Sequence, residues 1–155
     1  MEATELIRSL CEKIGIEYKP DANGGSCSFE ADGLLVMINN LRNLDQIAIV
    51  GDLGDPPPEK LETLYKMMLE ANYMLICTGG ATIGLDSENG RFAIYQTLSC
   101  KALDADEFYS ITDRFVSTLE AWTKIIRDFR AIIPSVRQAE EEAPNGLSDS
   151  GFMQV

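Results

Sequence analysis

The chain reads as an α+β domain of order α-β-β-β-α-β-β-α: a mainly antiparallel, twisted sheet packed by helices. Three observations predict it. Asp32-Gly33 and Ser87-Glu88-Asn89-Gly90 each lie between apolar stretches and mark hairpins. Three segments repeat apolar residues every three or four positions and mark helices. The strand patterns follow one another through short turns, which favours antiparallel neighbours with helices laid on them.

The first helix is expected over 4–14, with Thr4 as N-cap and Leu6, Ile7, Leu10, Cys11 and Ile14 on one stripe. Gly15 suits the residue after the helix, and Ile16 supplies the apolar contact that follows it. Residues 18–25 (YKPDANGG) are loop-like in composition. Strands are expected at 26–30 and 34–40. The run Leu34 to Ile38 is almost continuously apolar, as in a strand covered on both faces. A third strand follows at 46–53, ended by Pro56, Pro57 and Pro58. Pro58 suits the first turn of a helix over 59–74 with a stripe through Leu61, Leu64, Tyr65, Met68, Leu69 and Asn72. Gly79-Gly80 ends that region, and the second hairpin is expected at 81–86 and 91–99. The last helix opens on Asp104 and Glu107, a capping box with Asp in place of Ser or Thr. Its stripe runs from Phe108 through Ile111, Phe115, Leu119, Trp122 and Ile126 to Phe129, and Pro134 limits it. The domain therefore spans 1–134. Residues 135–155 form an acidic tail without periodicity, expected to be disordered.

A chain of 155 residues with 45% apolar content can hold one ordinary core. It has no apolar run of spanning length, and acids interrupt its first 16 residues, so neither membrane insertion nor an export signal is expected. The cytosol is the expected compartment, and Cys11, Cys27, Cys77 and Cys100 are expected as reduced, mostly buried thiols. The 13 basic and 25 acidic residues give a net charge of −12, with no basic face for nucleic acid. That charge serves solubility, or it attracts basic and amphipathic polypeptides.

The chemistry of catalysis is poorly represented. The chain has no histidine, which removes the commonest general base, the usual nucleophile partner and the commonest zinc ligand. The four cysteines lack the paired spacing of a zinc knuckle, so no metal site is expected. The stretch Gly79 to Gly84 superficially resembles a phosphate loop, but it lacks the lysine and leads into a strand. Gly51 to Asp55 lacks the alternating acids of a calcium loop and reads as a turn after a strand. The carboxylates lie where solvated helix faces and caps would place them. No cofactor and no enzymatic activity are expected.

Four local stretches, in order, carry a family resemblance. They are Leu10-Cys11-Glu12-Lys13-Ile14-Gly15-Ile16, the small hairpin strand Ser26 to Glu30, Leu64-Tyr65 through Leu69-Glu70-Ala71-Asn72, and Thr78-Gly79-Gly80-Ala81-Thr82-Ile83-Gly84-Leu85-Asp86 followed by Gly90. With them the sequence resembles the class I type III secretion chaperones, the Tir-chaperone (CesT-like) family, over about 4–130. The resemblance implies a homodimer in the bacterial cytoplasm without an ATP site. It further implies binding of the N-terminal segment of secreted effector proteins through strand addition and apolar grooves, with the secretion ATPase as a further partner. On that basis Leu61, Leu64, Tyr65, Met68, Ile83 and Leu85 are expected in the dimer interface. Leu6, Ile7, Leu10, Ile14, Phe29, Leu35 and Met37 are expected in the effector groove. The alternative is a regulatory adaptor of the same fold that sequesters a transcriptional regulator or anti-activator.

Overall fold

The computed structural model describes residues 1–20 and 25–141. Helix α1 is Ala3–Ile14, with Glu2 rather than Thr4 at its N-cap and no side-chain cap. Thr4 is thus inside the first turn, two positions after the cap. The other end follows expectation: Gly15 adopts φ 76°, and the Ile16 N–H donates to the Cys11 carbonyl at 2.9 Å. A residue without Cβ adopts that left-handed conformation without steric cost. Part of the expected 18–25 loop, residues 21–24, lies outside the described residues.

Strands β1 (Cys27–Ala31) and β2 (Leu34–Leu41) form the first hairpin. Asp32 at φ 50° and Gly33 at φ 79° give the doubly left-handed turn whose twist matches that of the strands. Strand β3 (Gln46–Gly54) returns alongside β2, one residue longer than the expected 46–53; Gly51 lies within it opposite Val36 and not in the turn that the Gly51 to Asp55 stretch also suggested. On its other side β3 pairs with the fifth strand, and a register irregularity between Asp52 and Gly54 precedes the last pair, Gly54 with Phe92. Helix α2 is Leu61–Asn72, shorter than the expected 59–74. Lys60 precedes it at φ 55°, so the chain turns after the prolines and Pro58 is not its first residue. The second hairpin pairs β4 (Thr82–Asp86) with β5 (Arg91–Ser99). The capping box closes reciprocally before α3 (Ala105–Glu141): the Glu107 N–H donates to Asp104 Oδ1 at 2.8 Å, and the Asp104 N–H to Glu107 Oε2 at 3.2 Å. The helix continues through Pro134 to Glu141, beyond the limit expected of that proline. The rest of the expected tail, 142–155, lies outside the described residues.

The five strands form one antiparallel sheet in the order β1-β2-β3-β5-β4, so β1 and β4 are its edges. Alternation places Val36, Ile38, Ile47, Ile49 and Ile94 on one face, all buried with Leu6, Ile7 and Leu10 of α1 and Phe108, Phe115 and Leu119 of α3. Gly51 lets α3 come close: a Cβ there would lie 2.7 Å from both methyls of Leu119. The opposite face is held across β3 and β5 by Arg91. Its Nη2 donates to Asp52 Oδ2 at 2.6 Å and its Nη1 to Asp55 Oδ1 at 2.9 Å. That face is only partly covered, with Leu35 and Tyr95 exposed. The expectation that Leu34 to Ile38 is covered on both faces therefore fails within one chain. Val36 and Ile38 are buried under the helices, while Leu35 points the other way.

Candidate functional site

Two surfaces at opposite ends of the sheet combine exposed apolar groups with backbone features that require explanation. The first lies at the β1 edge. A cavity of ≈ 300 Å³ opens between α1, β1 and α3, with Leu10, Ile14, Ile16, Phe29 and Val116 among its lining residues. The C-terminal end of α1 brings Ile14 there, and the Gly15 turn folds Ile16 onto the same wall. Helix α3 contributes Thr112, whose hydroxyl is buried and donates to the Phe108 carbonyl at 2.9 Å, so it is not a free polar hook. Beside the cavity, β1 pairs only with β2 among the described residues. An extended segment could continue the sheet there while placing a side chain into the cavity.

The other edge is occupied differently. The Asn72 side chain at the end of α2 donates to the Ile83 carbonyl and accepts from the Ile83 N–H, both at 2.9 Å. An amide side chain thus takes the place of a neighbouring strand at the middle of β4. Just beyond Asn72, the chain passes through Met74 at φ 58° and Leu75 at φ 56°. A left-handed conformation costs a non-glycine residue roughly 1–2 kcal/mol. This turn is fastened from beneath. The Thr78 hydroxyl donates to the Ala81 carbonyl at 2.6 Å, and Trp122 Nε1 donates to the Cys77 carbonyl at 3.2 Å. Gly79 at φ 61° and Gly80 at φ 91° then reverse the chain into β4, as the sequence pattern suggests. The outcome is a set of apolar side chains held outward: Leu69 is 70% exposed, Tyr73 78%, Met74 69% and Ile76 79%. Tyr65, Leu85 and Tyr95 are also exposed, and a cavity of ≈ 370 Å³ lies between α2 and β4.

The residues singled out from sequence divide accordingly. Leu6 and Ile7 are completely buried in the core and not accessible as contacts. Leu10 is buried but forms part of the β1-side cavity with Ile14 and Phe29. Leu35 and Met37 lie on the other face of the sheet, since they alternate with Val36 and Ile38. Of the six interface candidates, Leu64, Met68 and Ile83 are core, Leu61 is half-buried, and Tyr65 and Leu85 are exposed. Tyr73, Met74 and Ile76 were not singled out. They follow the helical stripe without periodicity of their own, and no glycine advertises the left-handed turn that exposes them.

The thiols show no arrangement for nucleophilic chemistry at either surface. Cys11 and Cys27 meet between α1 and β1. Burial there, with the neighbouring Cys11 adding to it, pushes the Cys27 thiol up to about 12, and burial raises Cys11 as well. Both are therefore held protonated, the opposite of an activated thiolate. Cys100 is buried and raised by the same cause, while Cys77 is exposed, against the expectation for most of the thiols. Among the described residues, no group of three or more Cys, Asp or Glu is placed to hold a metal, and no helix is long and apolar enough to cross a membrane.

Comparison with known proteins bears on the family and the fold. Residues 5–123 match the model of the Tir chaperone protein (CesT) family. No curated protein matches the chain in sequence. Among solved structures, the ExsC–ExsE complex is similar with a TM-score of 0.67 at 16% identity, over 79% of this chain and 92% of that one. The ExoU–SpcU heterodimer of the Pseudomonas aeruginosa type III secretion system gives 0.63 at 16% identity, over 77% and 97%. The Yersinia pestis type III secretion chaperone SycH, in complex with a fragment of YscM2, gives 0.60 at 14% identity, over 77% and 98%. Family and fold are those of chaperones rather than enzymes.

Proposed function

The chain belongs to the Tir chaperone protein (CesT) family, and from that premise we propose that it is a dimeric chaperone of the bacterial cytoplasm. Its client is the N-terminal segment of one or more type III secreted effectors, kept extended and competent for export. The observation that carries this reading is the asymmetry of the two sheet edges. The β1 edge is open and adjoins an apolar cavity, whereas Asn72 occupies β4. A client segment then adds to β1, where main-chain hydrogen bonds supply affinity and the cavity takes a side chain. Similar folds solved as chaperone–effector complexes, such as HopA1–SchA, support this use of the architecture.

Dimerisation uses the other end. Tyr73, Met74 and Ile76, with Leu69 and Leu85, are exposed apolar side chains of α2, the turn after it and β4, of the kind that marks an association site. A second copy is its occupant. Leu69 and Leu85 fall in the segments 64–72 and 78–86 on which the family resemblance rests, and Tyr73, Met74 and Ile76 lie in the turn that joins those segments. The interface is therefore the exposed side of α2 and the following turn, with Leu64, Met68 and Ile83 supporting it from within.

The test has two arms. Light scattering on the purified chain is expected to give a dimer, and Tyr73→Glu with Ile76→Glu is expected to give a folded monomer. Purification from the native cytosol is expected to bring down a secreted polypeptide bound through its N-terminal segment. A wild-type monomer holding no polypeptide would overturn the reading. Recovery of a transcriptional regulator or anti-activator alone would favour the adaptor function instead.

A further inference from the structure

The cavity at the β1 edge is apolar inside and acidic around it. Its floor and walls include Ile14, Ile16, Phe29 and Val116, while Glu30, Asp32 and Asp113 also line it. None of these three carboxylates is engaged in an ion pair among the described residues. Lys13, next to Ile14 in sequence, is already committed: its Nζ lies 2.8 Å from Asp106 and 4.3 Å from the ring centroid of Tyr109. Among the described residues, no cation lines the cavity. The site therefore pairs a hydrophobic recess with an unneutralised negative border, beside the strand edge open to augmentation.

We infer that this cavity selects, within an extended client segment, an apolar side chain closely flanked by lysine or arginine. The inference rests on the chaperone reading and adds a sequence preference to it. On an added strand, residues one position from the anchor face Glu30 on the outer side of β1. Residues two positions away share the anchor's face and approach Asp113 on α3. Asp32 stands at the hairpin turn, within reach of either. Charge here contributes selection rather than most of the affinity, because exposed ion pairs are individually weak.

The preference is testable with a fluorescein-labelled dodecapeptide of Gly, Ser and Thr that carries a central Leu with two Arg on each side. Binding to the full-length protein is read by fluorescence anisotropy at low and high salt. The triple change Glu30→Gln, Asp32→Asn and Asp113→Asn is expected to weaken binding roughly tenfold at low salt, the combined effect of a few exposed ion pairs. Asparagine tolerates the left-handed conformation of Asp32, so the turn is kept. Replacing the peptide's Leu by Ala is expected to cost roughly tenfold or more, the transfer free energy of that side chain. A control change of Glu88 and Glu120 to Gln and Asp128 to Asn, all exposed, alters net charge equally and is expected to leave binding unchanged. Equal loss in the control, indifference to the Leu, or no binding by any peptide would overturn the inference. The chaperone reading fails separately, if the wild-type protein holds no secreted polypeptide.

Discussion

The close contact of Gly51 with α3 is the point where a one-carbon change should be felt throughout the molecule. An alanine Cβ at 51 would stand 2.7 Å from both Leu119 methyls, whereas 3.4–4 Å is ordinary contact. Gly51 is not among the positive-φ residues, so alanine meets no backbone objection there. Two terms then compete. Losing glycine's freedom in the unfolded chain stabilises by about 0.4–1 kcal/mol. Overpacking a dense core costs about 1–3 kcal/mol. Because Leu119 is completely buried and Gly51 lies on a central strand, neither side has room to yield, and the second term wins. Gly51→Ala should therefore destabilise by roughly 1–2 kcal/mol, lowering the melting temperature by roughly 2–8 °C at this chain length. Calorimetry at fixed protein concentration measures it. Leu119→Ala alone should cost about 2–5 kcal/mol. In that background the clash is gone, so Gly51→Ala should become neutral or stabilising. A double-mutant cycle with no coupling, or a single variant that melts at or above the wild type, would refute the packing argument. Val116, which lines the cavity proposed to take a client side chain, lies on the same helix one turn before Leu119, so a shift of α3 should also alter that cavity.

Three other outcomes follow from local geometry. Asp104→Ala removes the acceptor of the Glu107 N–H and should cost about 1 kcal/mol, read as a lower urea midpoint with unchanged slope. Asn72→Leu removes both bonds to Ile83, at about 1–3 kcal/mol in all, and bares the β4 edge; sedimentation should then detect association beyond the wild-type state. Cys27, raised from 9.0 to about 12 in the folded chain, binds its proton more tightly folded than unfolded. Its contribution is complete below pH 9 and declines as pH rises from 9 towards 12, so Cys27→Ala should flatten the fall in melting temperature over that alkaline range.

What could be read in advance was whatever has its cause within a few residues. The Gly15 cap, the Asp32-Gly33 turn, the Asp104/Glu107 box and the Gly79-Gly80 reversal all lie where the sequence placed them. Each depends on a backbone conformation or hydrogen bond formed by near neighbours. The order of elements and the antiparallel sheet follow from these turns. The candidate site was legible only in outline. The stripe of α1 identified Leu6, Ile7, Leu10 and Ile14 together, but periodicity cannot say which of them a sheet will cover.

Tertiary structure decided that question, because burial depends on what arrives from distant parts of the chain. Helix α3 and the sheet enclose Leu6 and Ile7, while the cavity begins only at Leu10 and Ile14. Asn72 reads in sequence as one more position on a helical stripe. It becomes a substitute strand because β4, returning eleven residues later, presents its Ile83 backbone to the amide. The left-handed pair Met74 and Leu75 is likewise invisible in composition, since neither residue favours that conformation; the Thr78 hydroxyl bonds the Leu75 carbonyl at 3.3 Å, and Trp122 bonds the Cys77 carbonyl just after it. The sequence by itself determined the element order, the caps and a protein without histidine chemistry. Only the packed fold decided which apolar residues remain outside to meet another chain, because exposure belongs to the assembled surface and not to any local run of residues.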